Sequence, residues 1–316
     1  MEKFKPMLAC DWFQDKVKFP CIIQPKVDGV HSLNQNGICT GRSLKKHDNI
    51  FITEQFSKPE YHGFQGEKYD VNLGVTHPDL CRITSGNLRR IEGVPDIGWI
   101  LFDYITENTY SFGYQKRMEL LQDIFSKLHW DLKLWITIMP SKLIENMDQL
   151  LEEENNYLDL GYEGAMIRDP NAPYKFGRCG KTHMGVWRIK RFIDAEFLIE
   201  EIIEGEHNNN EAKTNLLGRT ERSTLQENMQ PNGMVGTLRG TLLADVLDPQ
   251  TKEVILKAGI KIDVAPGNMS HAERKYIFEN QHEFLLKIGK FKLFPKGVKD
   301  KPRFAQFQGL RNSNDM

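Results

Sequence analysis

A lysine lies where a short apolar stretch gives way to a glycine turn. Cys21-Ile22-Ile23 is apolar, Lys26 follows it, and Gly29 precedes a second run that ends at the polar turn Asn34-Gln35-Asn36-Gly37. This pattern predicts a strand, a tight turn and a second strand. The amine of Lys26 is then held on a rigid element, where a charge that only aids solubility is not expected. Taken alone, Lys-x-Asp-Gly is also typical of an ordinary surface turn. The spacing by itself favours such a turn over a functional lysine.

Lys26 is nevertheless a candidate nucleophile. An amine attacks phosphorus or a carbonyl only after losing its proton, which requires desolvation or neighbouring cations. Gly29 would let the backbone approach a ligand closely, and Asp28 would position a neighbouring donor or a metal-bound water.

The length of the chain predicts two domains. A chain of 316 residues is too long for one small core, and we expect domains over 1–191 and 192–316. The net charge is −1, so any attraction to nucleic acid has to come from local basic patches. The clearest patch is near the C-terminus and comprises Lys287, Lys290, Lys292, Lys296, Lys299, Lys301 and Arg303.

The same sequence indicates an intracellular, cytoplasmic protein. No stretch of about twenty apolar residues is present, and residues 1–5 lack the apolar run of a signal peptide, so we expect no membrane association. The five cysteines are scattered and contain no Cys-x-x-Cys pair. We therefore expect free thiols and neither a disulfide framework nor a zinc site.

Helices and strands alternate in the first 191 residues. Apolar residues at helical spacing predict helices over 115–128 and 142–158, and a third is expected over 48–56. Buried strands are expected over 63–71 and 98–104. The polar segment 78–93 is expected to be a surface insertion. Helices between strands predict an α/β (α+β) domain.

The composition changes after Arg191. Short strands are expected over 194–203, 233–246, 255–264 and 291–310, with one helical segment over 270–287. Several short strands and a single helix in about 120 residues fit a β-barrel of the OB-fold type. The polar stretch from 206 to 230 is expected to be a flexible loop.

Charged residues at three points of the first domain suggest phosphate chemistry. Residues 186–190 alternate, so Arg188 and Lys190 face the same side of a strand and suit a phosphate held through an in-line transfer. They would also favour the uncharged form of Lys26. Glu163, between an aromatic residue and a glycine, suits a carboxylate that projects into a cleft and binds Mg²⁺. Asp103 ends a buried strand and needs a partner.

Five segments, taken in order, resemble the nucleotidyltransferase motifs of ATP-dependent DNA ligases. They are Lys26-Val27-Asp28-Gly29, Gly66-Glu67, Leu101-Phe102-Asp103, Glu163-Gly164-Ala165-Met166-Ile167-Arg168 and Trp187-Arg188-Ile189-Lys190. Two flanking segments agree, Lys5-Pro6-Met7-Leu8-Ala9 and the stretch from Arg303 to Arg311. The resemblance runs almost from end to end and is to small ligases of the viral or phage kind within the covalent nucleotidyltransferase superfamily. It implies a nucleotidyltransferase domain with ATP-grasp-like antiparallel sheets and helices, followed by an OB-fold domain.

The resemblance also implies a cofactor and roles for individual residues. The cofactor would be ATP with Mg²⁺ (or Mn²⁺), and Lys26 would form a lysyl-AMP intermediate. Glu67 and Glu163 would bind the metal, with Asp70 as the alternative to Glu67. The catalytic residues would be Lys26, Asp28, Arg188 and Lys190. The nucleotide would be bound by Gln24, Lys26, Arg42, Glu67, Phe102, Glu163, Arg188, Lys190 and Arg303.

Two of these residues also have a plain structural interpretation. Phe102 occupies the position that stacks on adenine in the family, although a phenylalanine on a buried strand is by default a core residue. Arg42 would contact the nucleotide or the nick phosphate, and is otherwise a turn residue.

The implied partner is nicked double-stranded DNA, bound by a monomer. The stretch from 206 to 230 would order on that DNA. The remaining alternatives are an RNA ligase, an mRNA-capping guanylyltransferase and a non-catalytic nick-binding protein. Two positions depart from the family pattern: His31 stands where an arginine is often found, and Arg188 replaces the first lysine of a Lys-x-Lys pair. Arginine keeps the charge, whereas neutral histidine loses it and retains one hydrogen-bond donor.

Overall fold

The structure, a computed structural model, describes residues 4–311. The chain folds as two compact units, Met1–Lys190 and Arg191–Met316. The second unit begins one residue before the second domain expected from the sequence. Within the described range, no helix has both the length and the apolar surface needed to cross a bilayer.

Over residues 4–190 the first unit contains ten strands and five α-helices. In chain order they are β1 (Cys10–Asp11), β2 (Cys21–Pro25), β3 (Val30–Gln35), β4 (Ile38–Gly41), α1 (Ile50–Phe56), β5 (Phe64–Asp70), α2 (Leu80–Arg89), β6 (Ile97–Tyr104), α3 (Tyr114–Lys127), α4 (Trp130–Lys133), β7 (Ile136–Ile138), β8 (Lys142–Ile144), α5 (Met147–Asp159), β9 (Gly164–Arg168) and β10 (Trp187–Lys190).

These strands form two five-stranded sheets. One has the order β1-β10-β9-β2-β8 and the other the order β4-β3-β5-β6-β7. Antiparallel sheets were expected, but both sheets are mixed. In the first, β1 runs parallel to β10, and in the second, β7 runs parallel to β6. A parallel neighbour needs a long crossover, and α3 and α4 provide it between β6 and β7.

Each sheet buries its apolar face against helices. Every residue of β2 is buried, and the core around this strand includes Leu150 and Tyr157 of α5. The second sheet buries Trp99 against residues of α1 and α3, including Phe56 and Leu121. The strand β2 leads to Lys26, and the strand β6 carries Phe102. Both residues are therefore attached to strands that pack against helices.

Two expectations for this unit were wrong. Residues 142–144 form a strand that pairs with β2, and the helix begins only at Met147, where the side chain of Asn146 accepts from the backbone N–H of Gln149. The polar segment 78–93 contains the helix α2, whose buried Leu80, Thr84 and Leu88 recur every four residues. Three inward positions among many polar ones were too sparse a signal to detect.

The second unit is built from strands and one helix. In chain order they are β11 (Ile193–Asn208), β12 (Ala212–Thr214), β13 (Thr220–Arg222), β14 (Met229–Leu242), β15 (Val246–Leu247), β16 (Val254–Leu256), β17 (Lys261–Val264), α6 (His271–Glu279), β18 (Ile288–Phe294) and β19 (Arg303–Leu310). A capping box formed by Ser270 and Glu273 starts α6.

The main sheet of this unit curls without closing. Its strand order is β17-β14-β11-β18-β19. Just after β17, Ala265 forms an isolated bridge with Gln306 of β19. Within residues 191–311 this is the one bridge between the two ends of the sheet. The sheet is therefore curled but does not close into the expected barrel. The core on its inner face includes Phe197, Ile262 and Phe291.

The stretch from 206 to 230, expected to be a flexible loop, contains a hairpin between the ends of β11 and β14. β12 pairs with β13 in antiparallel register. The side chain of Asn210 fixes its base by donating to the carbonyl oxygens of Ser223 and Leu225 at 3.1 and 2.8 Å. Polar composition concealed this element because its two strands bury almost nothing.

Candidate active site

Pairing between neighbouring strands brings Lys26, Glu163 and Lys190 together. The backbone N–H of Lys26 donates to the carbonyl oxygen of Gly164 at 2.9 Å, and that of Glu163 donates to the carbonyl oxygen of Lys26 at 3.0 Å. Lys190 lies opposite Gly164 in the register of β9 and β10. A Cβ atom on Gly164 would come within 2.2 Å of the carbonyl oxygen of Ile189, so only glycine allows this approach.

Glu163 forms ion pairs with both lysines. Its side chain is 1% exposed, and one carboxylate oxygen contacts Nζ of Lys26 while the other contacts Nζ of Lys190. Burial alone would raise the pKa of Glu163, but the two ammonium groups hold it below its ordinary value. Burial lowers the pKa of Lys190, and Glu163 opposes that effect. The carboxylate of Glu163 therefore lies between Lys26 and Lys190.

Lys26 lines a cleft in the first unit. Six of the residues expected to bind a nucleotide line it: Gln24, Lys26, Arg42, Glu67, Phe102 and Arg188. Glu163 and Lys190 join this group through their ion pairs with Lys26. One sheet supplies Gln24 and Arg188, and the other supplies Glu67 and Phe102.

Phe102 is half-buried, lines the cleft and also packs against an apolar cluster that includes Val27 and Ile100. The guanidinium carbon of Arg168 lies 5.2 Å from the centre of its ring. The buried side chain of Gln24 interacts with the hydroxyl group of Tyr114. The aromatic face of Phe102 in the cleft suits a flat heterocycle.

Next to Phe102 in the sequence, Asp103 of β6 forms a buried ion pair with Arg117 of α3. Asp103 is fully buried and accepts from Nε and Nη2 of Arg117 at 2.8 and 3.1 Å. Nη1 of Arg168 lies 3.5 Å from the same carboxylate. The expected need of Asp103 for a partner is confirmed. Its identity depended on α3 packing across β6, which no local pattern encodes.

Glu67 is the second carboxylate of the cleft. Burial raises its pKa to about 8, with Lys26 opposing the shift and Asp28 and Glu163 adding to it. Asp28 is thus part of the electrostatic environment of the cleft, although it does not line it. Asp70, the alternative to Glu67, lies in a different depression with Asn87, whose Nδ2 donates to it at 2.8 Å.

Glu67 and Glu163 were expected to bind Mg²⁺. Among residues 4–311 there is no group of three or more His, Cys, Asp or Glu side chains placed to hold a metal ion alone. Mg²⁺ usually keeps several waters and binds one or two carboxylates plus substrate phosphates. Glu67 lines the cleft, whereas both carboxylate oxygens of Glu163 contact lysine ammonium groups, so the assignment of these two residues to Mg²⁺ stays a prediction.

The remaining expected residues have other surroundings. Nε of Arg188 donates to Asp11 at 2.7 Å while its side chain also lines the cleft. Arg303 belongs to the second unit, where its guanidinium carbon lies 5.6 Å from the ring centre of Phe294 and 5.2 Å from that of Phe304.

His31 lines the cleft as an uncharged side chain. Burial, with smaller effects of Arg42 and Arg168, lowers its pKa to about 4. The departure from the family pattern at this position therefore removes a positive charge. Sequence reasoning did not assign a role to two other residues of the cleft wall, Gln65 and Met166. Met166 lies inside a motif already quoted, but Gln65 carried no signal. Arg178, a cation of the loop over 170–184 for which the sequence suggested phosphate contact, also lines the cleft.

The basic patch near the C-terminus is partly neutralised. Four of its seven cations pair with acids: Lys290 with Asp194, Lys296 with Asp248, Lys299 with Asp300 and Lys301 with Asp263. The Nζ atom of Lys292 lies 5.1 Å from the ring centre of Phe192. These pairs weaken the case for a uniform anion-binding patch.

Comparison with known proteins leads to DNA ligases, although no protein-family model matches the chain. The DNA ligase of African swine fever virus (strain Badajoz 1971 Vero-adapted) is 27% identical over 110 residues, which are 35% of this chain and 26% of the viral protein. The chain thus matches about a quarter of the length of this curated relative.

Two solved structures share the fold almost from end to end. The Chlorella virus DNA ligase-adenylate is 23% identical, with 98% of this chain and 100% of that one covered and a TM-score of 0.52. A Lig E DNA ligase is 18% identical, with 97% and 99% covered and a TM-score of 0.66. At these identities the likeness establishes the fold. The resemblance to DNA ligases that the motifs indicated is thereby confirmed, in sequence over about a third of the chain and in fold over nearly all of it.

Proposed function

We propose that this chain is an ATP-dependent DNA ligase that seals nicks in duplex DNA through a lysyl-AMP intermediate on Lys26. The observation that carries the proposal is the contact of Glu163 with both Lys26 and Lys190 beside the cleft that Lys26, Glu67, Phe102 and Arg188 line. Residues 1–191 form the adenylation domain. Residues 192–316 form an OB-fold domain that binds DNA.

In the first step, Nζ of Lys26 attacks the α-phosphorus of ATP. A nitrogen–phosphorus bond forms, the bond to pyrophosphate breaks, and the amine loses its proton. Glu163 is the carboxylate in contact with that amine, so it is placed to take the proton. Lys190 then remains beside Glu163 as the cation that balances the α-phosphate.

The walls of the cleft bind the rest of the nucleotide. Phe102 stacks on the adenine, and Gln24 lines the same cleft beside it. Arg42 and Arg188 neutralise phosphate oxygens. Glu67 and Glu163 would hold Mg²⁺ (or Mn²⁺), which neutralises charge on the phosphates as pyrophosphate leaves. Arg303 orients the leaving pyrophosphate.

Two further phosphoryl transfers complete the reaction. AMP passes from Lys26 to the 5′-phosphate of the nick, and the 3′-hydroxyl then displaces AMP and joins the strand. Among the cations of the second unit, Lys213, Arg219 and Arg222 lie on or beside the hairpin β12–β13. We assign them to phosphate contacts on the duplex, which the protein binds as a monomer.

The test is covalent labelling by ATP that carries the label in its α-phosphate, with Mg²⁺ and without DNA. Wild type is expected to hold a label that survives denaturation, and Lys26→Ala is expected to hold none. Lys142→Ala is a matched control, because Lys142 also pairs with a glutamate, Glu153, but lies outside the cleft. Equal labelling of wild type and Lys26→Ala, or no labelling of wild type, contradicts the proposal.

Substrate choice separates the related activities. A DNA ligase uses ATP and seals a nicked DNA duplex, an RNA ligase prefers RNA ends, and a capping guanylyltransferase prefers GTP and a 5′-diphosphate RNA end. We expect sealing of nicked DNA with ATP. Binding of nicked DNA without any covalent label would instead indicate a non-catalytic nick-binding protein.

A further inference from the structure

A chain of hydrogen bonds leads from the backbone of Met7 to the imidazole of His31. The N–H of Met7 lies 2.7 Å from the phenolic oxygen of Tyr174, and that oxygen lies 2.9 Å from Oε1 of Gln65. Nε2 of Gln65 lies 2.7 Å from Nε2 of His31. Gln65 and Tyr174 are 2% and 6% exposed, so water does not compete for these contacts.

The direction of each hydrogen bond follows from the atoms that meet. A backbone N–H only donates, so the oxygen of Tyr174 accepts from Met7, and the amide oxygen Oε1 of Gln65 only accepts, so it receives the hydroxyl hydrogen of Tyr174. The amide nitrogen of Gln65 then faces His31 and donates to its Nε2 atom. A ring nitrogen that accepts carries no hydrogen, so His31 has its single hydrogen on Nδ1. An imidazolium would have no acceptor to offer Gln65, and the ring is therefore uncharged.

The opposite ring nitrogen of His31 lacks a protein partner. Nδ1 is buried and makes no hydrogen bond to any of residues 4–311. His31 lines the cleft, and its ring centre lies 5.8 Å from that of Phe102. A buried N–H without a partner is unfavourable, and an acceptor on a ligand would satisfy it.

We propose that Gln65 and Tyr174 are positioning residues that hold His31 as an uncharged Nδ1–H donor to the nucleoside part of the bound nucleotide. The inference rests on the proposed nucleotide site. Phosphate oxygens have the cations Arg42 and Arg188 in the same cleft, whereas a neutral donor beside the stacking residue suits an uncharged acceptor. Where the family often has a charged arginine, this chain thus offers a neutral hydrogen-bond donor. The fixed tautomer of His31 supplies that donor.

The tautomer can be measured without any catalysis. In protein with nitrogen-labelled histidine, the NMR signals of the two ring nitrogens distinguish the Nδ1–H form, the Nε2–H form and imidazolium. The His31 signals are identified by their loss in His31→Gln. Wild type is expected to show the Nδ1–H form. Gln65→Glu, which offers only acceptor oxygens, is expected to move the hydrogen to Nε2 or to charge the ring.

A wild-type His31 in the Nε2–H form, or one unchanged in Gln65→Glu, would overturn the inference. Tyr174→Phe gives a second measurement, because Gln65 then loses the group that orients its amide. We expect this variant to show a mixture of the two neutral forms. These results do not depend on whether the protein adenylates itself, so they separate failure of this inference from failure of the proposed function.

Kinetics of self-adenylation test the functional half of the inference. Gln65→Glu is expected to raise the KM for ATP about 10-fold with little change in kcat, as loss of one hydrogen bond would. Gln35→Glu is the matched control, because Gln35 donates to the carbonyl oxygen of Ile105 at 3.1 Å and lies outside the cleft. It is expected to leave KM unchanged.

Nucleotide analogues identify the acceptor. ATP, 2′-deoxy-ATP, 3′-deoxy-ATP and 3-deaza-ATP differ in single acceptors of the nucleoside. One of them is expected to have a KM raised about 10-fold in wild type and to lose that penalty in His31→Ala. If every analogue carries the same penalty in both proteins, His31 does not contact the nucleoside and the inference is wrong.

Discussion

The ammonium nitrogen of Lys26 contacts a carboxylate oxygen of Glu163, 137 positions further along the chain. Antiparallel pairing of β2 with β9 produces this contact, and Lys190 of β10 occupies the other carboxylate oxygen. The side chains of Lys26 and Lys190 are 19% and 12% exposed. Two lysines therefore share one buried negative charge beside the cleft, and the chemistry that we propose depends on that charge.

Glu163→Gln is expected to lower the rate of covalent labelling by about 100-fold or more, because an amide neither accepts the proton of Lys26 nor binds Mg²⁺ well. The rate is measured in single-turnover labelling with ATP. Glu153→Gln is the control, since Glu153 also pairs with a lysine but lies on α5 outside the cleft. Labelling by Glu163→Gln at the wild-type rate would exclude a chemical role for this carboxylate.

Phe102→Ala is expected to raise the KM for ATP by about 10-fold to 100-fold, because stacking of a base on an aromatic ring contributes about 1–3 kcal/mol. Phe102→Tyr keeps the aromatic face and is expected to stay near wild type. The measurement is KM in the labelling reaction, together with thermal unfolding to confirm that both variants fold. Equal KM values for the two variants would show that the ring does not stack on the adenine.

Arg117→Met is expected to lower the free energy of unfolding by about 3–5 kcal/mol, because it leaves the fully buried carboxylate of Asp103 without its main partner. Urea denaturation measures the change. Lys127→Met removes an exposed ion pair with Asp123 from the same helix and is expected to cost about 0–1 kcal/mol. Similar losses in the two variants would mean that the Asp103–Arg117 pair does not stabilise β6.

His47 is expected to make the protein less stable as pH falls. Burial, with Lys68 nearby, lowers the pKa of His47 to about 3, and its Nε2 atom lies 2.9 Å from Oγ of Ser32. Between its ordinary pKa of 6.5 and about 3 the unfolded state binds a proton that the folded state does not, so stability is lost as pH falls through this window.

His47→Gln tests this dependence. The slope of unfolding free energy against pH below 6 is expected to be smaller than in wild type by up to about 1.4 kcal/mol per pH unit. His282→Gln, at an exposed position, is expected to keep the wild-type slope. Parallel slopes for wild type and His47→Gln would show that His47 is not held uncharged in the folded protein.

Local patterns predicted the strands and helices whose buried faces are regular. The helix at 114–127 and the strands at 64–70 and 97–104 lie within one residue of the expected bounds. The sequence did not predict α2 or β8, because each buries too few side chains to set a period. The hairpin within 206–230 could not be predicted from hydrophobic periodicity, because hydrogen bonds of the Asn210 side chain hold its base.

Within the site, the sequence supplied the reactive groups but not their contacts. Lys26, Glu67, Phe102 and Glu163 were found from motifs that each span a few residues. The buried partner of Asp103 and the hydrogen-bond chain that ends at His31 join residues far apart in the chain. Gln65 and Tyr174 have no motif, since their roles depend only on which atoms they meet.

The sequence by itself determined the kinds of element, the order of the chemical groups along the chain and the resemblance to DNA ligases, because spacing and residue type act over a few positions. The tertiary structure decided that one carboxylate serves two lysines, that Asp70 lies away from the cleft, and that His31 is an uncharged donor. These properties arise from burial and from hydrogen bonds between distant strands. Only the folded chain fixes them, because each depends on which side chains lose water together.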